Sequence, residues 1–366
     1  MKIIYDHQIF SISNYGGALR YFTELIKRLA INKENEISLF MGQFISEYGI
    51  EKSSENFKYF NGKKHKNYKK SKPVYLFVNK LFFPGFYDKV SPDIYHQTYY
   101  ENLCLNKKAK RLVTVLDMMH ELYPDSFGKL DKSAAYKKEA VKLADGIISI
   151  SHSTKKDIVE ILNIPEEKIK VIHLGNSLNE DSETVPIFPF RYFLYVAKRE
   201  GYKNFKMFVK VFSKIKKNYP DIKIVCSGGG SFTAEELDFF KSLGVQDDIK
   251  YIYANDKTLA NLYKYAEAFI YPSKYEGFGV SLLEAMNMKC PIIASNLSSI
   301  PEILGDAGLY INPDEPEDLE NKIEMLLNDK ELRQSLIQKG NIQKEKFSWK
   351  KCAGETMNYY KEILGK

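Results

Sequence analysis

The sequence predicts an α/β protein made of two Rossmann-like, doubly wound parallel-sheet domains that face each other across a cleft. Three observations carry this expectation. Short apolar runs alternate with helical patterns along nearly all 366 residues. Strands spaced by roughly 10–15 residues of helical pattern form parallel sheets with right-handed crossovers. The alternation also runs twice, broken by the acidic, proline-bearing tract EDSETVPIFPF (Glu180–Phe190). The length points the same way, because it exceeds one ordinary core and implies two domains of about 180 residues.

The elements follow in order. KIIY (Lys2–Tyr5) reads as a strand, then a Gly-Gly turn leads into the amphipathic ALRYFTELIKRLA, a helix starting at Ala18. ISLFM, DIYH, LVTVL, GIISIS and KVIHL supply further strands. After the tract the pattern restarts with YFLYVA, the helix NFKMFVKVFSKIKKN, then IKIVCSGGG, IKYIYA, EAFIYPS, CPIIAS and GLYIN. We therefore place a first domain at 1–182, a linker at 183–190 and a second domain at 191–346. An amphipathic helix at 347–366 is expected to pack back on the first domain.

Composition narrows the function classes. Hydrophobic residues make up 44% and charged residues 28%, and 26 Tyr and 23 Phe stand against a single Trp. That balance excludes disorder, fibrous repeats and a disulfide-stapled module. Cys104, Cys226, Cys290 and Cys352 lie far apart with no CxxC pair, which predicts reduced, buried thiols rather than a zinc knuckle. MKIIYDHQIF has too short an apolar run for a signal peptide, and no stretch approaches the roughly 18 apolar residues of a membrane span. A reducing cytoplasm is the expected compartment.

The net charge of +7 is local. Lys+Arg minus Asp+Glu is 28 − 23 = +5 for residues 1–190 and 26 − 24 = +2 for 191–366, and residues 58–80 hold eight lysines and no acid. Without them the first stretch would be 20 − 23 = −3. The run Lys63–Lys72 leads into the aromatic VYLFVNKLFFPGFYDKV. It reads either as a solvated loop before a core helix or as peripheral contact with an anionic membrane at the inner face of the plasma membrane. One basic tract in a chain with 47 acids gives no nucleic-acid partner.

The stretch YAEAFIYPSKYEGFGVSLLEAMNMKCPIIASNLSSIPEI holds most of the chemistry. A strand (Ala268–Tyr271) ends in Pro-Ser, and the loop KYEGFGV enters a helix near Val280. Gly277 and Gly279 remove Cβ atoms where backbone must approach a ligand, and the helix N-terminus offers an anion site. A carboxylate beside such a site makes sense if it holds hydroxyls. Glu284 suits a ribose diol and Glu276 a sugar hydroxyl, each accepting charge-assisted hydrogen bonds.

Glu276 and Glu284, eight residues apart around the turn, resemble the paired-glutamate signature of retaining glycosyltransferases with the GT-B fold, in particular glycosyltransferase family 4, the mannosyltransferase-like group. The likeness extends to YDHQIFSISNYGGALRYFTELI, YVAKREGYKNF and FSWKKCAGETMNYY, hence to essentially the whole chain. It implies a second domain that binds a nucleotide-activated sugar and a first that receives the acceptor. On this resemblance Arg199 and Lys203 grip the donor diphosphate, and the backbone around Gly277, Phe278, Gly279 and Val280 adds donors. Gly228, Gly229 and Gly230 let the nucleotide approach, and Tyr253 borders the base. Gly16 and Gly17 form the glycine loop of the first domain. Asp117 stands where family members often carry His-Asp, but Leu116 replaces the histidine here; His120 or Glu121 could substitute, and a purely structural His120 is equally open.

The sequence has no DxD motif of the kind that holds a divalent metal, so no metal and no cofactor are expected beyond the nucleotide-sugar co-substrate. The resemblance implies retention of anomeric configuration and synthesis of a bacterial surface polysaccharide. GDP-mannose or a related GDP-deoxyhexose is the first donor choice and a UDP-sugar the second, with a lipid-linked oligosaccharide acceptor. Rival readings are an epimerase of the same architecture and a non-catalytic sugar-nucleotide-binding subunit. An α-glucan phosphorylase would need a far longer chain. A dehydrogenase fails because no G-x-G-x-x-G with a following acid succeeds the first strand.

Overall fold

The computed structural model describes residues 1–366 except 67, 69–70, 104, 106–107, 129 and 179–184. Cys104, part of the lysine tract, the acidic start of the tract Glu180–Phe190 and the first two residues of the expected linker therefore lie outside the described residues. Contacts divide the chain into two compact units, Met1–Leu174 with Trp349–Lys366, and Gly175–Ser348.

The first unit contains a seven-stranded sheet: β1 (Lys2–Tyr5), β2 (Glu36–Phe44), β3 (Tyr59–Lys64), β4 (Ile94–Gln97), β5 (Lys110–Val115), β6 (Gly146–Ser149) and β7 (Ile169–Val171). Their order is β3-β2-β1-β4-β5-β6-β7, every described pairing is parallel, and the winding direction reverses between β1 and β4. The strands read as continuous Val/Ile/Leu/Phe runs because both faces are covered. β3 departs from the sequence reading, which left Lys63 in a loop. Its exposed lysines suit an edge strand, where charge discourages pairing with another chain. The helix Gly17–Ile31 starts one residue earlier than expected and buries Leu19, Phe22, Leu25, Ile26 and Leu29, a helical stripe.

The last helix, Trp349–Ile363, belongs to this unit. Its Tyr360 hydroxyl, fully buried, lies 2.6 Å from the Tyr5 hydroxyl and 2.5 Å from His96 Nδ1. The other His96 nitrogen meets Thr114 Oγ1 at 2.8 Å. Tyr359 donates to the Lys168 carbonyl at 2.9 Å. Burial lowers the pKa of His96 from 6.5 to about 3, so the imidazole folds neutral. The sign follows directly: the unfolded state takes up a proton below pH 6.5 that the folded state refuses. Stability from this group is therefore present above pH 6.5 and falls on acidification by on the order of 1 kcal/mol per pH unit. Urea midpoints of the first unit should drop between pH 7 and pH 5, and His96→Gln should flatten that dependence. Equal slopes in both proteins would refute the assignment.

The second unit contains β8 (Arg191–Val196), β9 (Ile222–Ser227), β10 (Ile249–Tyr251), β11 (Ala268–Tyr271), β12 (Ile292–Ser295) and β13 (Leu309–Ile311). They are ordered β10-β9-β8-β11-β12-β13 with parallel pairing, reversing between β8 and β11. The helix Phe205–Ile215 packs Phe205, Phe208, Val209 and Phe212 onto Phe193, Tyr195 and Ile224. This unit begins at Gly175, ahead of the boundary expected at 182. The reason is local: Asn287 Nδ2 donates to the Leu178 carbonyl at 2.9 Å, and Asn261 Nδ2 donates to that of Val185, so this stretch is tied to the second sheet's helices. Cys226, Cys290 and Cys352 are free and buried, and burial pushes all three thiols up. Among the described residues, no helix is long and apolar enough to cross a membrane.

Candidate active site

In the second unit every candidate residue leaves the carboxyl end of a strand, the edge where ligands of doubly wound sheets bind. Lys203 follows β8 and Glu276 follows β11, the two strands that flank the reversal. The structure brings them together: Lys203 Nζ lies 2.6 Å from Glu276 Oε1, with only 14% and 9% of the side chains exposed. The loop that holds Glu276 is fastened from beneath. Its backbone N–H donates to Ser298 Oγ at 2.9 Å, while Ser299 Oγ donates to the carbonyls of Glu276 and Phe278 at 2.8 and 3.0 Å. Burial and the Glu276 charge push the Tyr271 hydroxyl well above its ordinary pKa.

Gly279 ends this loop at φ +100°, before the helix Val280–Asn287. That backbone conformation favours glycine, and a Cβ there would also press on Leu282 Cδ1 at 2.9 Å. Gly277, Phe278 and Gly279 are buried and Val280 is half-buried. Glu284, 5% exposed, accepts from the Tyr263 hydroxyl at 3.2 Å. Lys203 thus contacts Glu276 and Tyr263 contacts Glu284.

Arg199 has a different setting from the one expected. Nε contacts Glu236 Oε1 at 2.6 Å, Nη1 donates to the Gly228 carbonyl at 2.8 Å, and Nη2 donates to those of Gly230 and Ser231 at 2.8 and 3.1 Å. The guanidinium also lies over the Phe232 ring at 4.9 Å. Gly228, Gly229 and Gly230 all have positive φ, between +72° and +85°, a turn that glycine makes without strain. Arg199 caps its carbonyls. Glu236 closes the arrangement through a capping box with Thr233, on the helix Ala234–Ser242. Burial opposes ionisation of Glu236, but Arg199 and Thr233 outweigh it and hold the carboxyl below its usual range. Tyr253, expected at the base pocket, is 65% exposed, and Asn255 beside it caps the next helix through Thr258 N.

In the first unit, Gly16 takes φ +126° and caps the helix Gly17–Ile31, and both glycines are exposed. Asp117 follows β5 and joins a cluster that sequence reading missed. Lys137, fully buried, donates to the Asp117 carbonyl and to Glu121 Oε2, both at 2.8 Å, and lies 3.8 Å from Asp117 Oδ1. Glu121 is therefore committed to Lys137. His120 stacks on Phe127 at 4.0 Å and borders a cavity of about 600 Å³ with Pro124, Asp125 and Asp131. Burial and the Lys137 charge hold its pKa below 6.5, keeping the ring neutral at pH 7. A second missed feature sits at the β1–β4 reversal. Buried Asp6 accepts from Gln8 N, Gln8 Nε2, Thr98 N and the Tyr95 hydroxyl at 2.5–3.2 Å, which uses the carboxylate for structure.

Two family models match this chain, "Glycosyltransferase Family 4" over residues 15–180 and "Glycosyl transferases group 1" over residues 179–343. The chain is a glycosyltransferase built from these two family domains. It is 28% identical to O-antigen chain mannosyltransferase B of Escherichia coli over 94% of its own length and 96% of that protein. It is 30% identical to the O-antigen chain mannosyltransferase RfbU of Salmonella typhimurium, across 58% of this chain and 59% of that one. Among solved structures, sucrose-phosphate synthase from Thermosynechococcus elongatus superposes with a TM-score of 0.78 at 18% identity, covering 100% and 99% of the two chains. That likeness shows the GT-B fold. In this glycosyltransferase, then, a lysine and a glutamate from motifs 73 residues apart meet where the second sheet reverses. The arginine of the same motif holds the carbonyls of a glycine turn.

Proposed function

We propose that this glycosyltransferase moves mannose, or a related deoxyhexose, from a GDP-sugar to a saccharide chain of a bacterial surface polysaccharide. The Lys203–Glu276 pair carries the reading. Each group neutralises the other, and each has a counterpart in a nucleotide sugar: phosphate oxygen for the ammonium, sugar hydroxyl for the carboxylate. The choice of mannose and of O-antigen rests on the Escherichia coli relative. A UDP-sugar remains the second choice of donor.

The reaction follows from where charge develops. As the bond between C1 and the phosphate oxygen breaks, the leaving diphosphate gains negative charge. Lys203 and the N–H groups from Gly277 to Val280, at the positive end of their helix, stabilise that charge more in the transition state than in the ground state. Glu276 holds the sugar ring through a hydroxyl, and Glu284 takes the ribose diol. The departing oxygen accepts the acceptor hydroxyl's proton while the acceptor oxygen bonds to C1 on the same face. Configuration is retained, no enzyme nucleophile is required, and no metal enters. Arg199, which also shapes the Gly228–Gly230 turn against which the nucleotide packs, joins Lys203 at the diphosphate. In the first unit, Asp117 and the neutral His120 border the acceptor. The lipid-linked acceptor places the enzyme at the inner face of the cytoplasmic membrane.

A donor panel tests this. Thermal shifts with GDP-mannose, GDP-fucose, UDP-glucose and free nucleotides should single out the GDP-sugars, because a ligand at 100 times its Kd stabilises by about 2.7 kcal/mol. Transfer of labelled mannose to an oligosaccharide acceptor, with the α linkage retained, should follow in the presence of chelator. Stabilisation by UDP-sugars alone would move the donor to the second choice. Donor binding with neither transfer nor slow hydrolysis would leave a binding subunit.

A further inference from the structure

The helix Lys72–Val90 is apolar around most of its circumference, and only one side of it touches protein. Phe83, Tyr87 and Val90 pack with Ile4, Phe40 and Tyr95 in the first unit's core. Asn79, also inward, donates to the Gln43 carbonyl and to Ser11 Oγ, both at 2.9 Å, which fixes the helix's rotation. The outward side carries Val74, Phe77, Leu81 and Phe82, each 58–67% exposed. Positions 74, 77 and 81 follow helical spacing and line one stripe, with 82 beside it. A helix apolar on both sides normally lies in a core or spans a bilayer, and this one does neither. Soluble surfaces rarely group large apolar side chains in this way without a partner.

The charge around the stripe indicates which partner. Residues 58–80 contain eight lysines and no acid. Lys63 and Lys66 are exposed on the segment leading to the helix; Lys64 and Lys80 are paired, with Glu47 and Glu101 at 2.7 Å each. We infer that this stripe docks on an anionic lipid surface, with Phe77, Leu81 and Phe82 entering the acyl boundary and the lysines meeting headgroups. A second copy would bring one lysine tract against another, so self-association is disfavoured by the same charges. The inference stands apart from the sugar-transfer reading and can fail without it.

Flotation of the full chain with vesicles tests it. Wild type should float with 7:3 phosphatidylcholine–phosphatidylglycerol vesicles and at least ten-fold less with pure phosphatidylcholine. Phe77→Ser/Leu81→Ser, both at exposed positions, should lower flotation at least ten-fold with an unchanged circular dichroism melt. Lys63→Ser/Lys66→Ser should weaken it several-fold and reduce its salt dependence. Wild type remaining in the soluble fraction, or the apolar double variant floating like wild type, would overturn the inference. So would light scattering that shows a wild-type dimer made monomeric by the apolar substitutions, since the stripe's occupant would then be a second copy.

Discussion

Glu276→Gln should lower turnover by on the order of a hundred- to a thousand-fold at saturating donor, with the second unit still folded but melting lower, because the Lys203 ammonium, 14% exposed, loses its counter-charge. The substitution keeps the side chain's shape and leaves an oxygen to accept from Lys203, so the loop fastened by Ser298 and Ser299 should persist. The lost feature is the full negative charge that grips a sugar hydroxyl as C1 becomes electron-poor. Groups positioned for developing charge in water-poor sites contribute on that scale. Initial rates of radiolabelled transfer, read beside a thermal melt, separate the two effects. A variant with near-wild-type turnover would remove Glu276 from the sugar site.

Lys203→Met should be costly in a different way. Removing the ammonium leaves the Glu276 carboxylate 9% exposed and without its cation, a change that typically costs about 3 kcal/mol. The double variant Lys203→Met/Glu276→Gln should recover most of that stability, because no charge is then stranded. Neither protein should recover turnover, since the departing diphosphate has lost its cation. Urea unfolding of the two single variants and the double variant closes the cycle. Additive losses would mean that the pair is not coupled, and high activity in Lys203→Met would place the diphosphate elsewhere.

Much of this was legible in the sequence because parallel α/β sheets write themselves locally. Each central strand is a short apolar run and each crossover a helical stripe, so both sheets could be read in order. β3 could not. KYFNGKK lacks an apolar face because an edge strand's outer rim meets water, and its lysines look like loop residues. At the site, Lys203 and Glu276 were legible as members of compact motifs, although nothing local says that they touch. Arg199 shows the limit. A cation in a donor-site motif reads as a phosphate ligand, and its protein partners, Glu236 and three carbonyls, come into view only in the fold. Lys137 and Asp6 were invisible for the same reason. In SAAYKKEAVKL one lysine among three looks solvated, and the partners of Asp6 at Tyr95 and Thr98 lie some ninety positions away.

The helix Trp349–Ile363 belongs to the first unit although it follows the whole second unit in the chain. During synthesis the seven strands of the first sheet emerge early, yet the surface that receives Tyr360 stays uncovered until the whole second unit has been translated. At about 5–20 residues per second, that interval is roughly ten to thirty-five seconds. The usual vectorial order is thereby inverted. The sugar-nucleotide half can close while its older neighbour still waits for its final helix, and for that interval the younger fold is the finished one.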